Sequence, residues 1–225
     1  PSPLVRQRIM ELLNQSDFFH LYPTTNNERL LSLLAKYVGL PEENVQYFAS
    51  SDALHEYICK VFISVGDPVM ILGPSYDNFR LTCQANGADV FFSNYEEDFS
   101  FDSKKFERDI IEKEPAVVYI CNPNNPTGNQ HSVEYIAHLL KEFPDTLFLI
   151  DEAYSEFSGI TAKDLVLKYN NILISRTMSK AFALANFRFG YLISSKENVQ
   201  FINRIRNPKN ISTITQTAAI AALED

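Results

Sequence analysis

Three unbroken apolar runs, each ending in a polar cluster, set the narrowest limits on how this chain can fold. They are PVMIL (Pro68 to Leu72), PAVVYI (Pro115 to Ile120) and TLFLI (Thr146 to Ile150). A run of this length without alternation suits a strand buried on both faces, as in a parallel sheet covered by helices. Helical stripes lie between the runs. Val133, Ile136, Ala137 and Leu140 follow the i, i+3, i+4, i+7 spacing of a helix lying on a sheet. The full reading gives helices over 4–14, 28–37, 52–64, 76–86, 103–112, 132–142, 162–168, 196–206 and 212–223. Strands are predicted over 68–72, 88–92, 116–121, 146–150, 171–175 and 189–193. Such alternation predicts an α/β fold, a mostly parallel sheet with helices on both faces. The loop between 175 and 189 is too short to guarantee the crossover that a parallel pair needs.

In open α/β sheets, ligands bind beyond the carboxyl ends of the strands. The polar clusters of this chain fall there. CNPNNPTG (Cys121 to Gly128) follows the second run, with prolines fixing the backbone and Asn125 presented between them. Asp151-Glu-Ala-Tyr154 ends the third, placing a carboxylate and a phenol in one crevice. SRTMSKAFALANFRFGY (Ser175 to Tyr191) carries Lys180 after Thr177 and Ser179, with Arg188 eight positions on. An amine can capture a carbonyl cofactor as a Schiff base, and a guanidinium holds phosphate oxygens with charge-assisted bonds. Ser50-Ser51-Asp52 reads as the start of a helix, and Gly73-Pro-Ser-Tyr76 follows the first run. Each cluster alone has a plain structural reading: a rigid turn, a cap, a packing aromatic, a surface lysine.

Together, in this order, the motifs NPNNPTG, DEAY and SKAFALA resemble the large domain of class I/II aminotransferases of fold type I, closest to the histidinol-phosphate aminotransferase-like branch. The resemblance covers most of the chain. It implies a seven-stranded sheet with one antiparallel strand and a pyridoxal 5'-phosphate (PLP) cofactor. Lys180 would hold the cofactor as an internal aldimine and later move the proton. Asp151 would pair with the pyridine nitrogen, keeping the ring an electron sink, and Tyr154 and Asn125 with its phenolic oxygen. Thr177, Ser179, Arg188 and the backbone of Ser51 and Asp52 would hold the phosphate, and Tyr76 would stack on the ring. Tyr22 would reach the phosphate in the partner subunit of a homodimer. Ser50 stands where the family usually has glycine, Ala53 where it has glutamate, and Asn186 where glycine is common.

The resemblance also implies domain limits: an arm over 1–27, a cofactor-binding domain over 28–208, and over 209–225 the start of a connection to a smaller C-terminal domain. That domain normally supplies the arginines that grip the substrate's acid group. The leading function is an aminotransferase acting between a small amino compound, phosphorylated or not, and a 2-oxo acid. Alternatives are a PLP-dependent decarboxylase or lyase of a phosphorylated amino acid, and a non-catalytic homologue retained for assembly.

Composition narrows the field further. Net charge is −8 across 225 residues, which argues against nucleic-acid binding. Three separated cysteines suggest reduced thiols in a cytoplasmic protein. The four histidines lack ligand spacing, so no metal is expected. The seven glycines never lie closer than seven residues apart, which excludes dinucleotide and Walker A loops. No run approaches a membrane span, and no signal peptide is legible.

Overall fold

The computed structural model describes residues 1–15 and 18–225. In chain order the elements are α1 (Pro3–Gln15), α2 (Glu28–Val38), β1 (Val45–Phe48), α3 (Ser51–Phe62), β2 (Pro68–Gly73), α4 (Asn78–Ala85), β3 (Asp89–Asn94), α5 (Ser103–Lys113) and β4 (Val117–Cys121). There follow α6 (Val133–Glu142), β5 (Leu147–Asp151), α7 (Ser155–Ser158), β6 (Ile172–Thr177), β7 (Gly190–Ser194), α8 (Lys196–Asn203) and α9 (Thr213–Glu224). Seven strands form one sheet in the order β1-β7-β6-β5-β4-β2-β3. β7 runs antiparallel to both of its neighbours, β1 and β6, and the remaining pairs are parallel. The α/β class and the mostly parallel sheet expected from the sequence are what the chain adopts.

The apolar runs become β2, β4 and β5, whose residues are buried almost throughout. One face of the sheet packs Val118, Ile120, Phe148, Ile150, Ile172 and Ile174 into a core shared with α2, α5, α6 and α9. The other face packs Val117, Tyr119, Leu149, Leu173 and Leu192 against Leu54 and Ile58 of α3, Phe79 of α4 and Ile202 of α8. Side-chain caps fix the helix starts: Asn27, Ser132, Ser195 and Ser212 each accept a bond from a backbone N–H in the first turn.

Four elements differ from the sequence-based expectation, one of them the short helix α7 over Ser155–Ser158, which was not anticipated. β1 was not anticipated: four residues containing Gln46 are too few to show a period, and pairing with β7 makes the strand. The segment near 162–168 is a 3-10 helix over Lys163–Leu167. α8 ends at Asn203 rather than 206, before Pro208, which disfavours helical geometry in the residue ahead of it.

A buried ion pair ties the end of β5 to β6. Glu152 is fully buried; its carboxylate accepts bonds from Arg176 Nε at 2.9 Å, Thr161 Oγ1 at 2.9 Å and the Ala162 N–H at 2.7 Å. Replacing Arg176 with methionine leaves that carboxylate without its cation. The expected loss is about 3–5 kcal/mol of stability, read as a lower urea midpoint at unchanged slope. A midpoint within error of the wild type would show that the pair is dispensable.

Candidate active site

Strand alternation builds one wall of the site. Cys121 of β4 lies opposite Asp151 of β5, which lies opposite Ser175 of β6. With side chains alternating along each strand, Tyr119, Cys121, Asp151, Ser175 and Thr177 share the face that α3 covers. Their carboxyl-terminal members border a cavity of about 90 Å³, lined also by Ser51, Asp52, Tyr76, Ala153, Tyr154, Ser179, Lys180 and Arg188. Nine of the residues singled out from sequence therefore meet in one cavity. Asn125 lines an adjoining pocket of about 380 Å³, with Tyr154 shared between the two. Tyr22 lines neither: it is 80% exposed, with Lys209 Nζ 4.5 Å from its ring centroid.

The floor of the cavity is negative. Asp151 is 3% exposed; its Oδ2 accepts the Tyr119 hydroxyl at 2.8 Å and its Oδ1 the Ala153 N–H at 3.1 Å. Among the described residues its only ion-pair contact is His55, whose Nε2 lies 3.9 Å away. Burial lowers the His55 pKa, against the opposing pull of Asp151 and Asp52, so His55 carries no compensating charge. A buried carboxylate without a cation is costly unless something binds against it.

The rim is positive. Lys180 stands exposed over the Tyr154 ring, 5.3 Å from its centroid. Thr177 Oγ1 lies 2.9 Å from Ser179 Oγ and accepts the Ser179 N–H at 3.1 Å. Arg188 has a positive φ of 52° and donates from Nη2 to Asp52 Oδ2 at 3.0 Å. At the start of α3 the Ser50 hydroxyl accepts from Ala53 N at 3.1 Å, and the N–H groups of Ser51 and Asp52 have no acceptor inside the helix. A helix start of this kind binds anions. Ser50 itself sits at φ 99°, ψ 163°, a region glycine enters without strain.

Gly190 brings that helix start against the sheet. A Cβ there would lie 2.3 Å from Ser51 N and 2.5 Å from Ser50 C, both backbone atoms with little room to give. Gly190→Ala should therefore lower stability by about 1–3 kcal/mol and displace the start of α3. Chemical denaturation reads the loss, and an unchanged midpoint would mean that the helix start yields freely.

Cys121, the buried last residue of β4, also lines the cavity. Burial, with Asp151 adding to it, pushes its thiol up to about 12. The thiol is thus protonated and no nucleophile. Tyr119 and His55, directly behind Asp151, were not singled out. The period of two from Cys121 marks the face of Tyr119; nothing in the sequence states which helix covers that face. Among the described residues no group of three or more His, Cys, Asp or Glu is placed to hold a metal ion, and no helix is long and apolar enough to cross a membrane.

Chemically, the cavity offers an amine, an uncompensated carboxylate and an anion cradle. The model of the family "Aminotransferase class I and II" matches residues 1–225. A dihydroxyacetone phosphate transaminase of Campylobacter jejuni is 42% identical over 226 residues, covering all of this chain and 61% of that protein. A histidinol-phosphate aminotransferase of Ruminiclostridium cellulolyticum is 36% identical over 221 residues, covering 97% of this chain and 62% of that protein. Among solved structures, a histidinol-phosphate aminotransferase from Sinorhizobium meliloti in complex with pyridoxal 5'-phosphate superposes with a TM-score of 0.91 at 28% identity, over all of this chain and 61% of that one. The chain thus spans about three-fifths of the length of these relatives.

Proposed function

The chain belongs to the aminotransferase class I and II family, and on that premise we propose that it is the cofactor-binding part of a PLP-dependent aminotransferase. Its amino acceptor or donor is a small phosphorylated compound, exchanged against a 2-oxo acid. The observation that carries this reading is the buried, cation-free Asp151 carboxylate facing the same cavity as Lys180.

The residues present fit the cofactor. The uncompensated Asp151 suits a protonated ring nitrogen, the amine suits an aldehyde, and the close approach permitted by Gly190 leaves a cradle for a phosphate. When bound, PLP supplies an aldehyde that takes up amino groups and a ring that withdraws electrons from the substrate carbon. Lys180 would hold the aldehyde and would move the proton at the substrate carbon. Asp151 would hold the proton on the ring nitrogen. The N–H groups of Ser51 and Asp52, the hydroxyls of Thr177 and Ser179, and Arg188 hold the phosphate, with Arg188 already oriented by Asp52. Tyr76 would pack on the ring, and Tyr154 and Asn125 would hold its oxygen. The phosphorylated substrate class is supported by the names of the two relatives, which act on dihydroxyacetone phosphate and histidinol phosphate.

The test is a transamination assay of the intact protein with PLP, glutamate as donor, and dihydroxyacetone phosphate or other phosphorylated carbonyl compounds as acceptors. Amino transfer without release of carbon dioxide is expected. Release of carbon dioxide without amino transfer would overturn the reading in favour of a decarboxylase.

The same reading makes the protein a cytoplasmic homodimer in which Tyr22, exposed and lining neither pocket of its own chain, reaches the partner's phosphate. Tyr22→Ala should then weaken PLP binding about 10- to 100-fold, the worth of one hydrogen bond to a charged group, while leaving the fold intact. Unchanged affinity in a titration, or a protein that is monomeric by sedimentation with full affinity, would contradict this.

A further inference from the structure

Behind Asp151 lies a buried aromatic and polar cluster to which the reading above gives no role. Tyr119 is fully buried, stacked on Phe79 with ring centroids 4.9 Å apart, and its hydroxyl donates to Asp151 Oδ2 at 2.8 Å. His55 of α3 stands edge-on to both rings. Its Nε2 lies 3.0 Å from Ser175 Oγ and 3.9 Å from Asp151 Oδ2, while among the described residues its Nδ1 has no partner. A buried acceptor without a donor is tolerated more readily than a buried N–H without an acceptor. The hydrogen of the neutral ring therefore belongs on Nε2, facing Ser175 and Asp151.

We propose that Tyr119 and His55 are positioning residues that fix the plane of the Asp151 carboxylate toward the ring nitrogen of the cofactor. The proposal rests on the PLP reading. Donated hydrogen bonds favour the charged form of a carboxylate. The Tyr119 bond holds the carboxylate oriented toward the cavity; without it, Asp151 would be free to turn away from the ring nitrogen that it would otherwise meet. Burial and the neighbouring Asp151 raise the Tyr119 pKa well above its usual value, so the hydroxyl keeps the hydrogen it donates. His55 Nε2 stands 3.9 Å from the same Oδ2 that Tyr119 binds and 3.0 Å from Ser175 Oγ, so it packs the helix whose start forms the anion cradle against Asp151.

The test uses the intact protein reconstituted with PLP labelled with 15N in the ring. Tyr119→Phe should lower kcat about 10- to 100-fold with KM for the amino donor unchanged. The ring nitrogen resonance should move toward that of a neutral pyridine, and borohydride should still fix the cofactor on Lys180. His55→Gln, whose amide can donate from a similar position, should keep kcat within about threefold, whereas His55→Leu should lose about tenfold. A Tyr119→Phe protein with kcat within twofold of the wild type and an unmoved resonance overturns the proposal. If Tyr119→Phe does not fold, equal kcat in the two His55 variants overturns it instead. Failure to label Lys180 in the wild type overturns the PLP reading first, and the proposal with it.

Discussion

Replacing Lys180 with alanine in the intact protein should lower kcat by at least about 10³-fold, because a positioned proton-transfer group contributes 10²–10⁴ and the covalent anchor is lost as well. Lys180→Arg separates the two roles of the side chain. It keeps a cation above the Tyr154 ring, where Lys180 Nζ now sits 5.3 Å from the centroid, but it is no amine nucleophile and stays protonated. Both variants should therefore be inactive, while their melting temperatures stay near that of the apo wild type, since the lysine is exposed. Steady-state kinetics at saturating PLP makes the comparison. An arginine variant retaining a tenth of the wild-type rate would mean that Lys180 supplies only charge.

Asp151→Asn is expected to retain PLP and to lose about 10- to 1,000-fold in kcat. The range follows from the one to three units by which a nearby carboxylate shifts a partner's proton affinity. Asparagine's single carbonyl oxygen can still accept the Ala153 N–H, now 3.1 Å from Oδ1, while its amide N–H donates to the Tyr119 oxygen, now 2.8 Å from Oδ2, so the local fold persists. On the proposed reading, what it lacks is the charge that would keep the ring nitrogen protonated. The cost of a buried, unpaired carboxylate also disappears, so the apo form should become more stable than the wild type. Turnover close to normal would reduce Asp151 to a capping residue for the Ala153 N–H.

Much of this arrangement was legible in the chain because strand ends concentrate it. Unbroken runs such as PVMIL and PAVVYI leave few alternatives to a covered sheet, and the polar residues that follow them fall at one edge. Lys180, Asp151 and Arg188 could be read from their own neighbourhoods. Tertiary relations could not. β1 exists because β7 offers it a partner, not because VQYF announces a strand. Gly190 reads in sequence as a small residue after Phe189; its role appears only when the backbone of Ser51 lies where a Cβ would go. Asp52 looked like a backbone donor alone, yet its carboxylate orients Arg188. His55 followed a helical stripe and could have faced solvent, until α3 folded over the face that carries Asp151.

The most direct test of the account is borohydride reduction of the intact protein after reconstitution with PLP, followed by tryptic peptide mapping. Trypsin does not cut after a modified lysine, so a reduced cofactor on Lys180 should appear on a single peptide running from Thr177 to Arg188 with the Lys180 site uncleaved. Cofactor on any other lysine, or none on a well-folded protein saturated with PLP, would contradict the account.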